Sequence, residues 1–203
     1  MKKVVALLLI VAMVFAFASC KKDEKVEETT TGVPFDKEVL AENWQEGSIT
    51  FENGNTVTLP CDLKSFINAS GLTLQNADDW QTKKVAAGKS ETVRLYKGTD
   101  TEINVTCENP SKEDVSITNT KVVKFSFKRG GSDTLPGNKK IKFAGTLTVN
   151  ASRVEVEEVL GEGSVGNRGI VTYEDTNSAN RKFKLKITYG DNNLISNVSY
   201  ELA

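Results

Sequence analysis

The chain has 203 residues, enough for one ordinary domain or two small ones. At 38% apolar and 26% charged it has the composition of a folded region, which excludes disorder throughout. The net charge is −1 with no long basic block, which argues against nucleic acid as a partner. There is no histidine, so the usual general base near neutral pH is missing. Ser-His-Asp and Cys-His systems and mixed zinc sites go with it. No catalytic set, no metal site and no cofactor is expected, and the protein is read as not an enzyme.

Lys2 and Lys3 precede an uninterrupted apolar run of 15 residues from Val4 to Ala18, too short to span a bilayer comfortably. A positive start, an apolar middle and small residues before a cut site make residues 1–19 a signal peptide. Phe17-Ala18-Ser19-Cys20 resembles the lipobox of bacterial lipoproteins, with Phe17 where an aliphatic residue is usual. That resemblance implies that the Cys20 thiol receives a diacylglycerol and becomes the first residue of the mature chain. It places the protein outside the cytoplasm, anchored to the cell membrane or outer membrane, and several acyl chains make such attachment stable. Losing Lys2 and Lys3 takes the net charge from −1 to −3. Residues 20–34, the lipidated cysteine and a charged, threonine-rich stretch without core formers, read as a flexible tether. Cys20-Lys21-Lys22-Asp23-Glu24 also resembles a surface-export tag of some Gram-negative lipoproteins.

Roughly 160 residues then remain, enough to bury a core. Phe35 to Trp44 suits one short helix with Asp36 as its cap. Ser48–Glu52 and Thr56–Leu59 alternate apolar with polar around Asn53-Gly54, the pattern of a hairpin. Asp62 is placed to cap a helix carrying Leu63, Phe66 and Ile67 and closed by Gly71. Strands follow at Glu91–Lys97, Thr101–Cys107 and Val115–Phe127, the last broken near Asn119. A loop rich in Gly, Ser, Asp and Pro then marks a boundary, giving an N-terminal β-rich unit at 35–131 and a C-terminal α+β unit at 132–203.

In the second unit Lys140–Val149 reads as a strand, and Ser152-Arg153-Val154-Glu155 has the spacing of a capping box. A helix over 153–160 is favoured, with Val156, Val159 and Leu160 inward and Gly161 as its stop. Strands at Gly169–Glu174, Lys182–Tyr189 and Asn193–Leu202 complete the chain, the last two as a hairpin. The fold class is α+β and β-dominated, with antiparallel sheets, two short helices and two related small units. Leu147-Thr148-Val149, Ser152, Val156, Val159-Leu160-Gly161, Tyr173 and the final hairpin resemble the unit of small outer-membrane assembly lipoproteins and β-lactamase inhibitor proteins. The proline usual after that leucine-glycine is replaced by Glu162-Gly163. The resemblance covers about 60 residues and implies a binding surface on a sheet.

The candidate sites are few. Gly161-Glu162-Gly163-Ser164-Val165-Gly166 spells G-x-G-x-x-G, but these glycines follow a helix instead of opening one, so they read as a connection. Cys61 and Cys107 either pair, closing a loop worth roughly 3–4 kcal/mol, or stay as two buried thiols. Asp78-Asp79 beside Trp80 could serve a carbohydrate subsite, with acids for hydroxyls and a ring to stack on the sugar. Glu155, Glu157 and Glu158 could supply a carboxylate pair, and all five acids are expected to be largely exposed. Sequons at Asn68, Asn104, Asn150 and Asn197 need no glycosylation to explain them. The function expected is a lipid-anchored envelope protein that binds a protein or an extracellular ligand on a sheet face or edge. The alternative is a carbohydrate-associated protein or weak hydrolase using those carboxylates.

Overall fold

The computed structural model describes residues 44–76, 80 and 82–202. The expected signal peptide (1–19), Cys20, the stretch expected as a tether, most of the expected helix at Phe35–Trp44, and Asp78 and Asp79 lie outside the described residues. The described chain opens with a 3₁₀ turn at Trp44–Glu46, then β1 (Ser48–Thr50) and β2 (Thr56–Thr58). Asn53-Gly54 makes the connection as expected, with Gly54 at φ +83° and Gly54 N–H donating to the Phe51 carbonyl. After β3 (Cys61–Asp62) comes α1 (Leu63–Ser70), which buries Leu63 and Phe66 and ends on Gly71 at φ +68°. Asp62 stands at the N-cap but makes no cap bond. Its carboxylate reaches Lys121 Nζ at 2.8 Å, and the first helical N–H, of Leu63, donates to the Thr120 carbonyl.

Next come β4 (Thr73–Leu74), β5 (Lys84–Val85), β6 (Ser90–Lys97), β7 (Thr101–Glu108), β8 (Val115–Ser116) and β9 (Lys121–Lys128). A 3₁₀ turn at Ile117–Asn119 separates β8 from β9, where the break near Asn119 was expected. The strand expected over Lys140–Val149 shrinks to β10 (Lys142–Phe143). Ala144 and Gly145 take positive φ, and the chain folds back so that the Phe143 N–H donates to the Leu147 carbonyl. Its apolar residues point inward from a turn, which a strand pattern read off the sequence cannot distinguish. α2 (Arg153–Leu160), β11 (Ser164–Val165), β12 (Ile170–Thr176), β13 (Lys182–Tyr189) and β14 (Ile195–Leu202) follow. The capping box of α2 is complete: Ser152 Oγ accepts from Glu155 N–H at 3.3 Å and Glu155 Oε2 accepts from Ser152 N–H at 2.7 Å.

The fold is therefore α+β and β-dominated. Nine strands form one antiparallel sheet in the order β11-β12-β13-β14-β9-β7-β6-β4, with β3 on β9 as the ninth. Single extra residues, Val123 on β9 and Ser196 on β14, bulge at the register shifts and add twist. One face is covered by α1, α2 and the small sheet β10-β1-β2. Phe127 meets Phe143 across the layers at 6.2 Å, and Phe51 meets Phe66 at 5.4 Å. The boundary expected at 131/132 falls inside this sheet. β14 of the second part pairs with β9 of the first from Asn197↔Lys128 to Glu201↔Lys124, and one core serves both parts. The composition shift there marks a loop, not the seam of two domains.

Candidate functional site

The sheet's second face is polar from edge to edge. Residues directly opposite in register share a face. One row runs Glu174–Lys184–Glu201–Lys124–Thr106–Thr92 across six strands. The next runs Thr172–Lys186–Ser199–Ser126–Asn104–Arg94. None of these twelve side chains is buried. Their charges alternate and pair: Lys184 with Glu174 at 2.7 Å, Lys124 with Glu201 at 3.2 Å and Lys186 with Glu201 at 3.8 Å. The hydrogen bond from Lys184 holds the Glu174 carboxyl below its usual range, and Glu174 in turn raises Lys184. Between the charges lie small hydroxyls and amides, which donate and accept hydrogen bonds without a group to activate them.

Two clefts adjoin this face. The larger, about 600 Å³, lies at the β11–β12 edge between Trp44, Leu160 and Tyr173 on one side and Thr172, Lys184 and Lys186 on the other. Trp44 meets Tyr173 edge-on at 6.4 Å, and burial pushes the Tyr173 phenol up. Gly163 packs so closely here that a β-carbon would come within 2.5 Å of Val171. The G-x-G-x-x-G run thus ends α2 and flanks β11, with Gly161 capping a helix instead of opening one. The smaller cleft, about 320 Å³, lies at the β6 edge against Trp80.

Other expected site residues are scattered. Cys61 and Cys107 are free thiols. Both are in register with Val122, from opposite sides of β9. Two strand spacings of about 4.8 Å separate them, beyond the roughly 7 Å limit for a disulfide. Burial raises the Cys61 thiol to about 11 and the Cys107 thiol to about 12. Glu155 is committed to the capping box and Glu157 to Arg153 at 2.6 Å. Both are half-buried by these roles, so of the helix acids only Glu158 is exposed as expected. Asn104 lies on the polar face, as does Asn197 opposite Lys128; Asn68 is exposed on α1. Among the described residues no group of three or more acids and cysteines is arranged to hold a metal ion. Nor is any helix there long and apolar enough to cross a membrane.

The polar face itself was not assigned in the sequence as one surface. Its residues alternate strand by strand, as in Phe183-Lys184-Leu185-Lys186-Ile187, but only register aligns them into rows. No family model matches the chain, and no curated protein or solved structure matches it.

Proposed function

We propose that the protein is a lipoprotein of the cell envelope, held by lipid on Cys20, that acts by binding another protein or an extracellular ligand and not by catalysis. The anchor rests on Lys2-Lys3, the apolar run and Phe17-Ala18-Ser19-Cys20. The binding role rests on one observation, the continuous polar face of the sheet opposite the core. A face of paired charges and small hydroxyls has the groups for recognition and lacks an activated nucleophile. Glu155 and Glu157 hold helix structure together, which weighs against the carboxylate hydrolase.

One experiment tests both halves. The wild-type chain is expected to incorporate labelled fatty acid and to stay with membranes washed in high salt. Cys20→Ser is expected to lose the label and be released by that wash, rebinding only when salt is lowered. The released protein should still sediment with envelope material of the producing cell, and Ser126→Arg with Ser199→Arg should abolish that. Label retained in Cys20→Ser overturns the anchor. Sedimentation unchanged by the face variants overturns the binding surface.

A further inference from the structure

We propose that the cleft against Trp80 is a saccharide-binding site. The inference rests on the reading of the chain as a binding protein and names the ligand class for one end of its open face. The cleft is lined by Gln75, Asn76, Trp80, Thr92, Arg94 and Asn104, with Val93 between them. Its volume, about 320 Å³, lies at the lower end of the roughly 300–1,000 Å³ typical of small-molecule sites.

Three features make this a built site. First, the sheet edge steps here. β4 pairs only with Leu95 and Tyr96, and the Gln75 N–H then donates to the Arg94 carbonyl at 3.2 Å. From Gln75 the chain leaves the strand line, and Asn76 turns it with φ +56°. Beyond this point the outward side chains of β6 are open to the cleft.

Second, the indole is held from two sides. Trp80 Nε1–H donates to the Gln75 carbonyl. Lys83 Nζ lies 4.1 Å from the ring centroid and is itself tied to Glu91 at 2.5 Å. Trp80 is partly buried against the core and also borders the cleft, so it forms a fixed apolar wall of the site. A large aromatic surface fixed beside polar groups offers an apolar platform at little entropic cost.

Third, the polar lining matches a sugar's rim. A pyranose presents an apolar C–H face and a ring of hydroxyls, each both donor and acceptor. The amides of Gln75, Asn76 and Asn104 supply both roles within one planar group, and the Arg94 guanidinium supplies a fork of donors. Thr92 Oγ1 and Thr106 Oγ1 share a hydrogen bond at 3.1 Å, which ties Thr92 to a neighbour outside the cleft. Arg94 Nε, 3.6 Å from Glu102, is only loosely paired and keeps its donors for a ligand.

The cleft also opens onto a track. Arg94 and Asn104 begin the row that continues through Ser126, Ser199, Lys186 and Thr172. Hydroxyl, amide and ammonium groups therefore recur at the strand spacing of about 4.8 Å. A chain of several sugar units, its end ring on Trp80, would run along that row.

The test uses the mature chain, residues 20–203, with Cys20→Ser. Adding Trp44→Phe leaves Trp80 as its one tryptophan. The probes are four tetrasaccharides: cellotetraose, chitotetraose, mannotetraose and tetragalacturonate. At least one should shift the Trp80 emission and give a saturable isotherm by calorimetry with a dissociation constant of millimolar or tighter. Arg94→Ala and Asn104→Ala should each weaken that probe at least tenfold, and Trp80→Phe should weaken it less than Trp80→Ala. Circular dichroism and melting temperature keep a folding defect apart from a binding one. The proposal is overturned if no probe binds at millimolar concentration, or if folded Arg94→Ala and Trp80→Ala bind as the parent does. If the probes fail while sedimentation with envelope material persists in Trp80→Ala, this site falls and the binding-protein reading survives.

Discussion

Five buried or half-buried groups that ionise in alkali are all held neutral by the fold. Burial is the largest cause for each: it raises the thiols of Cys61 and Cys107 and the phenols of Tyr173, Tyr189 and Tyr200. Their ordinary values are 9.0 for the thiols and 10.0 for the phenols. A raised native value means that the unfolded chain loses its proton first as pH rises. The stabilisation from these protons is full below about pH 9 and is lost as pH climbs through the native values. A fully buried group adds at most about 1.4 kcal/mol per pH unit to the slope, and the partly solvated Cys61, Tyr173 and Tyr189 add less. Urea midpoints should therefore fall steeply between about pH 9 and about pH 11, and Cys107→Ala should flatten the fall. In the Cys20→Ser chain both remaining thiols should react with a thiol reagent only after unfolding. A flat midpoint across that range, or ready labelling of native Cys107, would show that the pocket around these groups is open.

Among the elements, those set by short-range chemistry were legible and those set by distant partners were not. Asn53-Gly54 makes its turn because glycine takes φ +83° there, and Ser152 with Glu155 makes its box because both lie within one turn. The cap at Asp62 failed because a distant partner, Lys121, competes for its carboxylate. Lys140–Val149 failed because Ala144 adopts positive φ, which few alanines do. The clamp made by buried Asn138, which bonds the Glu102 N–H and the carbonyls of Glu102 and Lys128, left no mark in a loop that looked merely polar. The candidate site was half legible: Trp80 and Asn104 drew notice, but Arg94 and Thr92 join them only through the β6–β7 register. The capping box gives the element-scale prediction. Ser152→Ala removes the acceptor for Glu155 N–H and should cost about 1 kcal/mol by urea denaturation. Because Ser152 also begins the segment bridged to Leu194, the loss should appear in protection of β14 amides as well as of α2. A cost near zero would mean that α2 is held by Val156 alone.

At the scale of the whole molecule, the sheet order decides how the chain unfolds. β14, last in sequence, sits between β13 and β9, so the C-terminal strand closes the gap between the two sequence halves. Tyr200 is fully buried there, 5.5 Å from Phe125 of the first half and 6.3 Å from Phe183 of the second. Cutting at residue 131 would bare Phe125 and Phe127 on one fragment and Ile195, Val198 and Tyr200 on the other. At roughly 1.5–3 kcal/mol per large apolar side chain, the five together outweigh much of a typical domain's 5–15 kcal/mol. Each fragment would also present a long unpaired edge, β9 in one and β14 in the other, inviting aggregation. Fragments 44–131 and 132–203 should therefore each lack a cooperative thermal transition, while the intact chain unfolds in a single step. Co-expression of the two should restore a soluble complex with the strand signal of the parent, because the β9–β14 pairing needs no covalent link. A cooperative transition in either fragment alone would show that the boundary at 131/132 divides two independent cores, and that the sheet joins them without binding their stabilities together.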